Sequence, residues 1–478
     1  MKQLLLLVAM TVAGGIAAPY HPFWGLLLYY ALAVLRPQHL WAWALPVEWR
    51  WSLFAAVIIF VSVLLNIHRL IFKGRLTAIT LLMMAYGLTL LISCLMADNP
   101  MLAAHWGQEH AKIIIIAIIA TLCLDQLWQL RILTVMILLM VGYIAWEVNY
   151  MYLFKSRLDV FHYGYGGLDN NGAGLLMAMG APLAYTFGVA AEKRWQRMAA
   201  WGVALVILHA VMMTYSRGAM LATLVGTIWL FIQHRHRKQT IVIAVAACLA
   251  VSVLAGKEIR ERFLSTRQYQ EDRSAMSRME SWKAAWTMAW ERPLTGHGIR
   301  NANLYSANYG ADRQGRTIHS VYLQIAADSG IPSMLLYSGM MGLALASFGR
   351  CRRMCSRARS DCQDIGPPQS QQLAILEQYE HIALGLQGSL IIFAFGGLFL
   401  SLEVFELSWL LMVMAAVMPV LLQEHIASLT NAQTSQEPAE EAKPRRRAHG
   451  VRKRPLPALP PESLDDLLHS HPKGWVHP

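Results

Sequence analysis

The sequence predicts an all-α polytopic membrane protein of about 12 transmembrane helices, with one large outer loop containing amphipathic helices. Three observations predict it. Of the 478 residues, 56% are hydrophobic and 15% charged, a balance outside ordinary soluble usage. The hydrophobic residues gather in runs near the roughly 20 residues that a spanning helix needs. Between those runs, Lys and Arg are strong in every second loop, as expected where cytoplasmic loops concentrate positive charge.

The N-terminus, MKQLLLLVAMTVAGGIAAPYHPF, has the short basic start and apolar core of a signal peptide, with a cleavage-like Ala17-Ala18. A second apolar run, WGLLLYYALAVL, follows at once and favours a first membrane helix. Residues 3–36 read as one broken span or two short helices, with Pro19 and Pro22 at the break. Apolar runs then occupy 51–66, 77–96, 111–124, 129–147, 172–190, 196–213, 217–233, 240–255, 318–347, 381–400 and 405–422. Several are short, so tilt or bilayer thinning is expected. The basic stretches 68–75, 192–197, 234–238 and 350–359 are assigned to the cytoplasm, which puts loops 97–110, 148–171, 214–217, 256–317 and 401–404 on the outer face. Four segments result: an N-terminal transmembrane bundle (1–255), the large outer loop (256–317), C-terminal transmembrane helices (318–427) with a basic cytoplasmic loop at 349–380, and a basic tail (428–478). The tail is rich in Pro, Arg and Glu, a composition that predicts disorder.

Composition also excludes function classes. The net charge of +12 sits in short loops between apolar runs, so it reads as topology and attraction to anionic lipid. No nucleic-acid-binding motif is present, and GxxxxGK[ST] is absent. The six cysteines lie in apolar runs or in one basic loop, which gives no disulfide framework. Cys351 and Cys355 lack a second ligand pair for a metal. The outer loops hold no D-x-D or E-x-D pair, and the adjacent Glu271 and Asp272 do not converge on a helix. Neither a metal nor another cofactor is expected.

Chemistry on a polar substrate is expected at the large outer loop, where residues 256–317 hold eleven Lys and Arg against seven Asp and Glu. Long loops partly escape the topology rule, so a tolerated soluble loop is the plain alternative. Three residues give an anion site more substance. Arg217, in TYSRGAML, stands at the outer start of a helix. A helix N-terminus is already electropositive, so a cation there calls for an anion, and Ser216 is placed to cap. Taken alone, Arg217 reads equally as an arginine snorkelling to lipid headgroups. Arg278 begins an amphipathic pattern with Trp282, Ala285, Trp286 and Ala289 along one face, suited to a helix on the membrane surface with tryptophan anchors. A lone arginine there would otherwise be a solvated charge. His319, in IHSVYLQIAADSGIP, stands where the loop enters an apolar helix, with Tyr322 and Leu323 at helical spacing on its face. Imidazole has the pKa to take a proton from an attacking hydroxyl, although a single histidine at a helix end is more often structural.

In order along the chain, SRGA at an outer helix start, R-x3-W-x-x-A, RPLTGHG and then H-S-x-x-L-x5-S-G-I-P resemble the O-antigen ligase superfamily of membrane glycosyltransferases. The similarity spans residues 160–345, and DNNGAGLLMAMGAPL (169–183) is similar to the family's usual lead-in. Residues 23–46, FWGLLLYYALAVLRPQHLWAWALP, resemble the branch of O-glycosylation ligases associated with exosortase systems. Two positions depart from the family pattern: Asp328 stands where Glu is more usual, and Ser333 follows Gly330-Ile331-Pro332 where a second Gly is usual.

The resemblance implies transfer of a glycan from an undecaprenyl-diphosphate carrier to an acceptor hydroxyl on a glycolipid, polysaccharide or protein. It implies the bacterial inner membrane as location, which makes the outer loop periplasmic. His319 matches the family's base, and Arg217 and Arg278 match the arginines that hold the diphosphate, with Ser216, Tyr322 and Asp328 in support. Arginine suits that role through its bidentate geometry and permanent charge. An O-antigen polymerase shares the carrier and differs only in acceptor. A lipid-linked glycan transporter would need charges deep in its spans, whereas polar residues here collect at one face.

Overall fold

Residues 2–46, 48–71, 76–155, 160, 164–233, 273–311, 317–361 and 370–434 are described by a computed structural model of the chain. The N-terminus forms two short helices, α1 (Lys2–Ala17) and α2 (Pro22–Leu35). His21 caps α2 by accepting from the Phe23 N–H at 3.2 Å, and Pro22 takes the first helical position, where no N–H is needed. The turn α3 (Pro37–Leu40) precedes α4 (Trp51–Leu65) and α5 (Ile67–Ile71). Thr77 caps α6 (Ala78–Leu95), and Asn99 with Pro100 starts α7 (Pro100–Cys123). Then come α8 (Leu127–Tyr150), extended by a π-helical turn at Met151–Lys155, α9 (Asn170–Ala190), α10 (Arg194–Met213) and α11 (Arg217–Gln233). The large loop contributes α12 (Arg273–Glu291) and α13 (Asn301–Tyr305). The chain closes with α14 (Val321–Asp361), α15 (Ser370–Gly396) and α16 (Glu406–Thr434).

Among the described residues, seven helices are long and apolar enough to cross a membrane: α6, α7, α8, α9, α10, α14 and α16. Three shorter apolar helices, α1, α4 and α11, accompany them. The chain is thus an all-α, multi-pass membrane protein. The apolar run 240–255, the basic stretch 234–238, residues 256–272 and the tail beyond 434 lie outside the described residues. Met1–Ser428 forms one compact unit and Leu429–Pro478 another.

Two expected loops are helical instead. Most of 97–110 is the opening of α7, because Asn99 accepts from the Leu102 N–H at 3.1 Å and proline favours the first helical position. The stretch 350–359, inside the expected 349–380 loop, is the end of α14, and α15 begins at Ser370. Arginines on a helix end keep the charge asymmetry a loop would carry, and they also suit the C-terminal helix dipole. Arg359 there pairs with Glu380 at 3.0 Å.

Among the seven candidate spans the most enclosed is α9, which packs on α8, α10, α11 and α15. Its sequence, NNGAGLLMAMGAPLAYTFGVA, is rich in Gly and Ala, and small residues let helix backbones approach closely in a membrane.

The feature that positions the site is a break in α14. Gly330 has φ 87° and ψ 163° inside the helix, and Pro332 follows. Pro332 has no N–H, and the Ile331 N–H turns away to the Pro293 carbonyl at 2.8 Å. The carbonyls of Ala327 and Asp328 are thereby left without intrahelical donors. They are taken up from outside: the His297 N–H donates to Ala327 O at 3.0 Å, and the Gly298 N–H and Ser93 hydroxyl both donate to Asp328 O at 2.8 Å. The loop RPLTGHG is thus docked by main-chain hydrogen bonds onto the break at SGIP. Contact is too close for side chains: a Cβ on Gly330 would lie 2.5 Å from Leu294 O, and one on Gly296 would lie 2.4 Å from Asp328 O.

Candidate active site

The five segments that the charge pattern assigns to the outer face meet at one end of the bundle. Asn301 Oδ1 accepts from the Asn99 N–H at 2.8 Å, and Asp98 pairs with Arg292 and His297 at 2.6 and 2.8 Å. The Ser216 hydroxyl meets Asn171 Oδ1 at 2.8 Å, and Asn170 donates to Thr214 O at 3.2 Å. Arg300 pairs with Glu403 at 3.0 Å. These contacts join 97–110, 256–317 and 401–404 in one group and 148–171 with 214–217 in another, and one cavity is lined from both groups.

Here a cavity of about 550 Å³ is lined by Leu102 and Trp106 of α7, Gly167, Leu168 and Asp169 before α9, Arg300, Asn303 and Leu304 around α13, Thr317 and His319 before α14, and Leu400, Ser401 and Leu402 before α16. Asp169 caps α9 by accepting from the Gly172 N–H at 2.8 Å. Arg300 adopts left-handed backbone, φ 61°, uncommon for a residue with a side chain. Its guanidinium lies 4.7 Å from the Trp106 ring centroid and is nearly buried against Glu403. Breaking such a buried pair by removing one partner costs about 3–5 kcal/mol, so Arg300 is held firmly at the cavity wall. The side-chain oxygen of Asn303 is buried with no hydrogen-bond partner among the described residues.

His319 lines this cavity but not from a helix. It lies two residues before α14, with φ 56°, so the helical register with Tyr322 and Leu323 does not apply to it. Its carbonyl accepts from the Trp282 indole N–H of α12 at 3.3 Å. Ser320 and Val321 start the helix, where the Val321 N–H donates to Gly397 O at 2.8 Å. The left-handed kink separates His319 from the helix axis and leaves it at the cavity.

Arg217 and Arg278 do not line the cavity. Arg217 opens α11, and Ser216 caps it by accepting from the Ala219 N–H at 3.2 Å. Gly218 beside it faces Phe399, since a Cβ there would lie 3.7 Å from the Phe399 Cβ. Arg278 stands one turn before Trp282 on α12, which starts five residues earlier than the amphipathic pattern suggested, at Arg273. Trp286 lies on the exposed side of α12, while Ala285 and Ala289 are fully buried. The Trp282 and Phe399 rings are 6.1 Å apart. Trp282 thus joins His319, through its carbonyl, to the helix that carries Arg278, and Phe399 packs between Trp282 and the residue after Arg217.

Tyr322 and Asp328 are absent from the cavity lining. The Tyr322 hydroxyl donates to Ala394 O at 2.8 Å. Asp328 is buried and accepts from the Ala302 N–H at 2.9 Å and the Gln324 side-chain amide at 2.6 Å. It caps α13 from another helix and so sets where Arg300 begins. Gln324 in turn accepts from the Ile318 N–H and lies 3.3 Å from the Ser401 hydroxyl.

Residues 201–338 match the family model described as O-antigen ligase. Over this stretch, less than a third of its length, the chain is similar to the O-antigen ligase family. No curated protein and no solved structure matches the chain. The O-antigen ligase match takes in Ser216, Arg217, Arg278, Arg300, His319, Tyr322 and Asp328. The match supports a membrane enzyme of the ligase or polymerase kind.

Trp106 and Arg300 line the cavity and Glu403 pairs with Arg300, without a motif that marks them in the sequence. A signal for two of them existed. Glu403 and Arg300 are opposite charges in two loops assigned to one face, and complementary charges at one end of a bundle pair readily. Trp106 lies in the stretch expected as loop, and only its helical phase turns it toward Arg300.

Proposed function

We propose that this protein transfers a glycan from undecaprenyl diphosphate to an acceptor hydroxyl at the periplasmic face of the bacterial inner membrane, in a metal-independent reaction. His319 is the base, and Arg217 and Arg278 hold the diphosphate. The observation that carries this reading is the position of His319 on a cavity of about 550 Å³ whose other polar lining includes Arg300, Asn303 and Asp169. Arg278 is one turn before Trp282, whose indole N–H donates to the His319 carbonyl, and Arg217 precedes Gly218, which faces Phe399.

In the reaction the acceptor oxygen attacks the anomeric carbon and its proton passes to the His319 imidazole. The bond from that carbon to the phosphate oxygen breaks, and the electron pair leaves on the diphosphate. Guanidinium groups stabilise the charge that grows on the leaving oxygens. The isoprenoid tail lies between apolar helices.

The test is transfer by purified protein supplied with a carrier-linked glycan, with the product identified by mass spectrometry. His319→Ala is expected to insert normally and lose transfer, and near-normal transfer would remove His319 from the chemistry. Arg217→Lys keeps the charge but loses bidentate geometry, so full activity would count against a diphosphate clamp. Carrier-linked repeat units supplied alone separate the two family activities: chain growth marks a polymerase, and product only after an external acceptor is added marks a ligase.

A further inference from the structure

Trp106, Leu168 and Leu402 line the His319 cavity and also a second chamber of about 320 Å³, built from α2, α3, α4, α7 and the start of α16. This volume is at the low end of the roughly 300–1,000 Å³ of small-molecule sites. Most of the chamber's lining comes from residues before the family-matched region.

Its chemistry differs from that of a phosphate site. The lining cations Arg36, Arg50 and Lys112 face the carboxylates Glu109 and Glu406. Arg50 and Lys112 both pair with Glu109, at 3.0 and 2.7 Å, and Arg36 donates to Gly167 O at 3.3 Å. Neutral groups fill the gaps. Burial first, and Arg36 second, lower the pKa of the His39 imidazole, so at neutral pH it offers a donor and an acceptor and no charge. Gln38 Oε1 is buried with no hydrogen-bond partner among the described residues. A diphosphate entering here would meet two carboxylates. A hydrocarbon chain would strip water from five ionic groups and return no hydrogen bonds. A ligand with many hydroxyls satisfies both signs, donating to carboxylates and Gln38 and accepting from Arg36.

We propose that this chamber is a sugar subsite that holds the end of the acceptor glycan. The proposal rests on the transfer reading above for the word acceptor. Leu400, Ser401 and Leu402 line the His319 cavity, Phe399 just before them packs on Trp282, and Leu402 also lines the chamber. With the donor diphosphate at the Phe399 end, the sugar at the Leu402 end belongs to the second substrate.

The experiment is saturation-transfer NMR on the full-length protein in a detergent without a sugar headgroup. The probes are D-glucose, D-galactose and N-acetyl-D-glucosamine, and binding of undecaprenyl diphosphate is measured on the same samples. Wild-type protein is expected to give saturation transfer to at least one sugar, and Ser52→Trp, which fills the chamber, to abolish it while carrier binding persists. Glu406→Gln is nearly isosteric and keeps the test alive if the bulky variant does not fold. It is expected to weaken sugar binding by about tenfold, the loss of one charge-assisted hydrogen bond. The proposal is overturned if wild type binds none of the sugars, if both variants bind them undiminished, or if sugar and carrier binding are lost together. Failure of the transfer reading would look different: Arg217→Ala would retain full carrier binding, while the sugar signal would still judge the chamber.

Discussion

Gly330→Ala is the most searching single test of how the site is assembled. At φ 87° and ψ 163°, Gly330 occupies a region open essentially to glycine, and forcing another residue there costs about 1–3 kcal/mol. The added methyl would also sit 2.5 Å from Leu294 O and 2.6 Å from its carbonyl carbon, so either the helix break or the loop must move. Movement threatens three main-chain hydrogen bonds, from His297 to Ala327, from Gly298 to Asp328 and from Ile331 to Pro293, each worth about 0.5–1.5 kcal/mol net. Together these give a loss of roughly 3–7 kcal/mol. Gly310→Ala is the control, because Gly310 has φ 88° with no atom within 4 Å of an added Cβ. It should lose only the left-handed term of about 1–2 kcal/mol. Thermal unfolding of the purified protein, followed by labelling of the buried thiols of Cys123, Cys351 and Cys355, reports both variants. Gly330→Ala should unfold well below Gly310→Ala, and Gly296→Ala combined with it should cost less than the sum, since both strike one contact. Equal midpoints for the Gly330 and Gly310 variants would refute the claim that this joint holds the loop in place.

Trp282→Phe keeps a ring against Phe399 but removes the donor to the His319 carbonyl. Loss of a bond worth about 0.5–1.5 kcal/mol predicts a roughly two- to tenfold fall in kcat, with unchanged carrier KM, and an unaltered kcat in steady-state transfer assays would sever Trp282 from the chemistry. Burial and Arg36 hold the His39 pKa below its ordinary value of 6.5, so the folded state favours the neutral ring. Its contribution to stability is complete above about pH 6.5 and declines as pH falls below that value, as the unfolded chain takes up the proton first. The gap in thermal midpoint between wild type and His39→Gln should therefore narrow on acidification, and a gap that widens would reverse the sign.

Local signals made His319 and the start of α11 legible, while Arg217 and Arg278 do not line the cavity. Ser216 before Arg217 at an apolar run is a cap followed by a cation, and that is how α11 begins. The N-terminal break at Pro19 and Pro22 followed from proline's missing donor. Less legible were features that depend on phase or on contact. Asn99-Pro100 is a helix start whose continuation through polar residues to 110 hides it from hydropathy, so the apolar run marks only the second half of α7. His319 looked helical because its spacing to Tyr322 fits a helix, yet a left-handed residue two positions before α14 obeys no such spacing.

By itself the sequence determined the all-α membrane class and put an imidazole, His319, at the cavity. Those follow from hydropathy, charge and backbone preference, which act over a few residues. Only the tertiary structure decided which residues meet. Arg300 and Glu403 are about a hundred positions apart and close an ion pair only when the loop is docked on α14. Asp328 turned from a neighbour of the base into the cap of α13 because the break at Gly330 leaves its carbonyl for the loop and its carboxylate for Ala302. The second chamber likewise exists only where α2, α4 and α7 converge. Long-range packing sets these contacts, and no window of local pattern contains both partners.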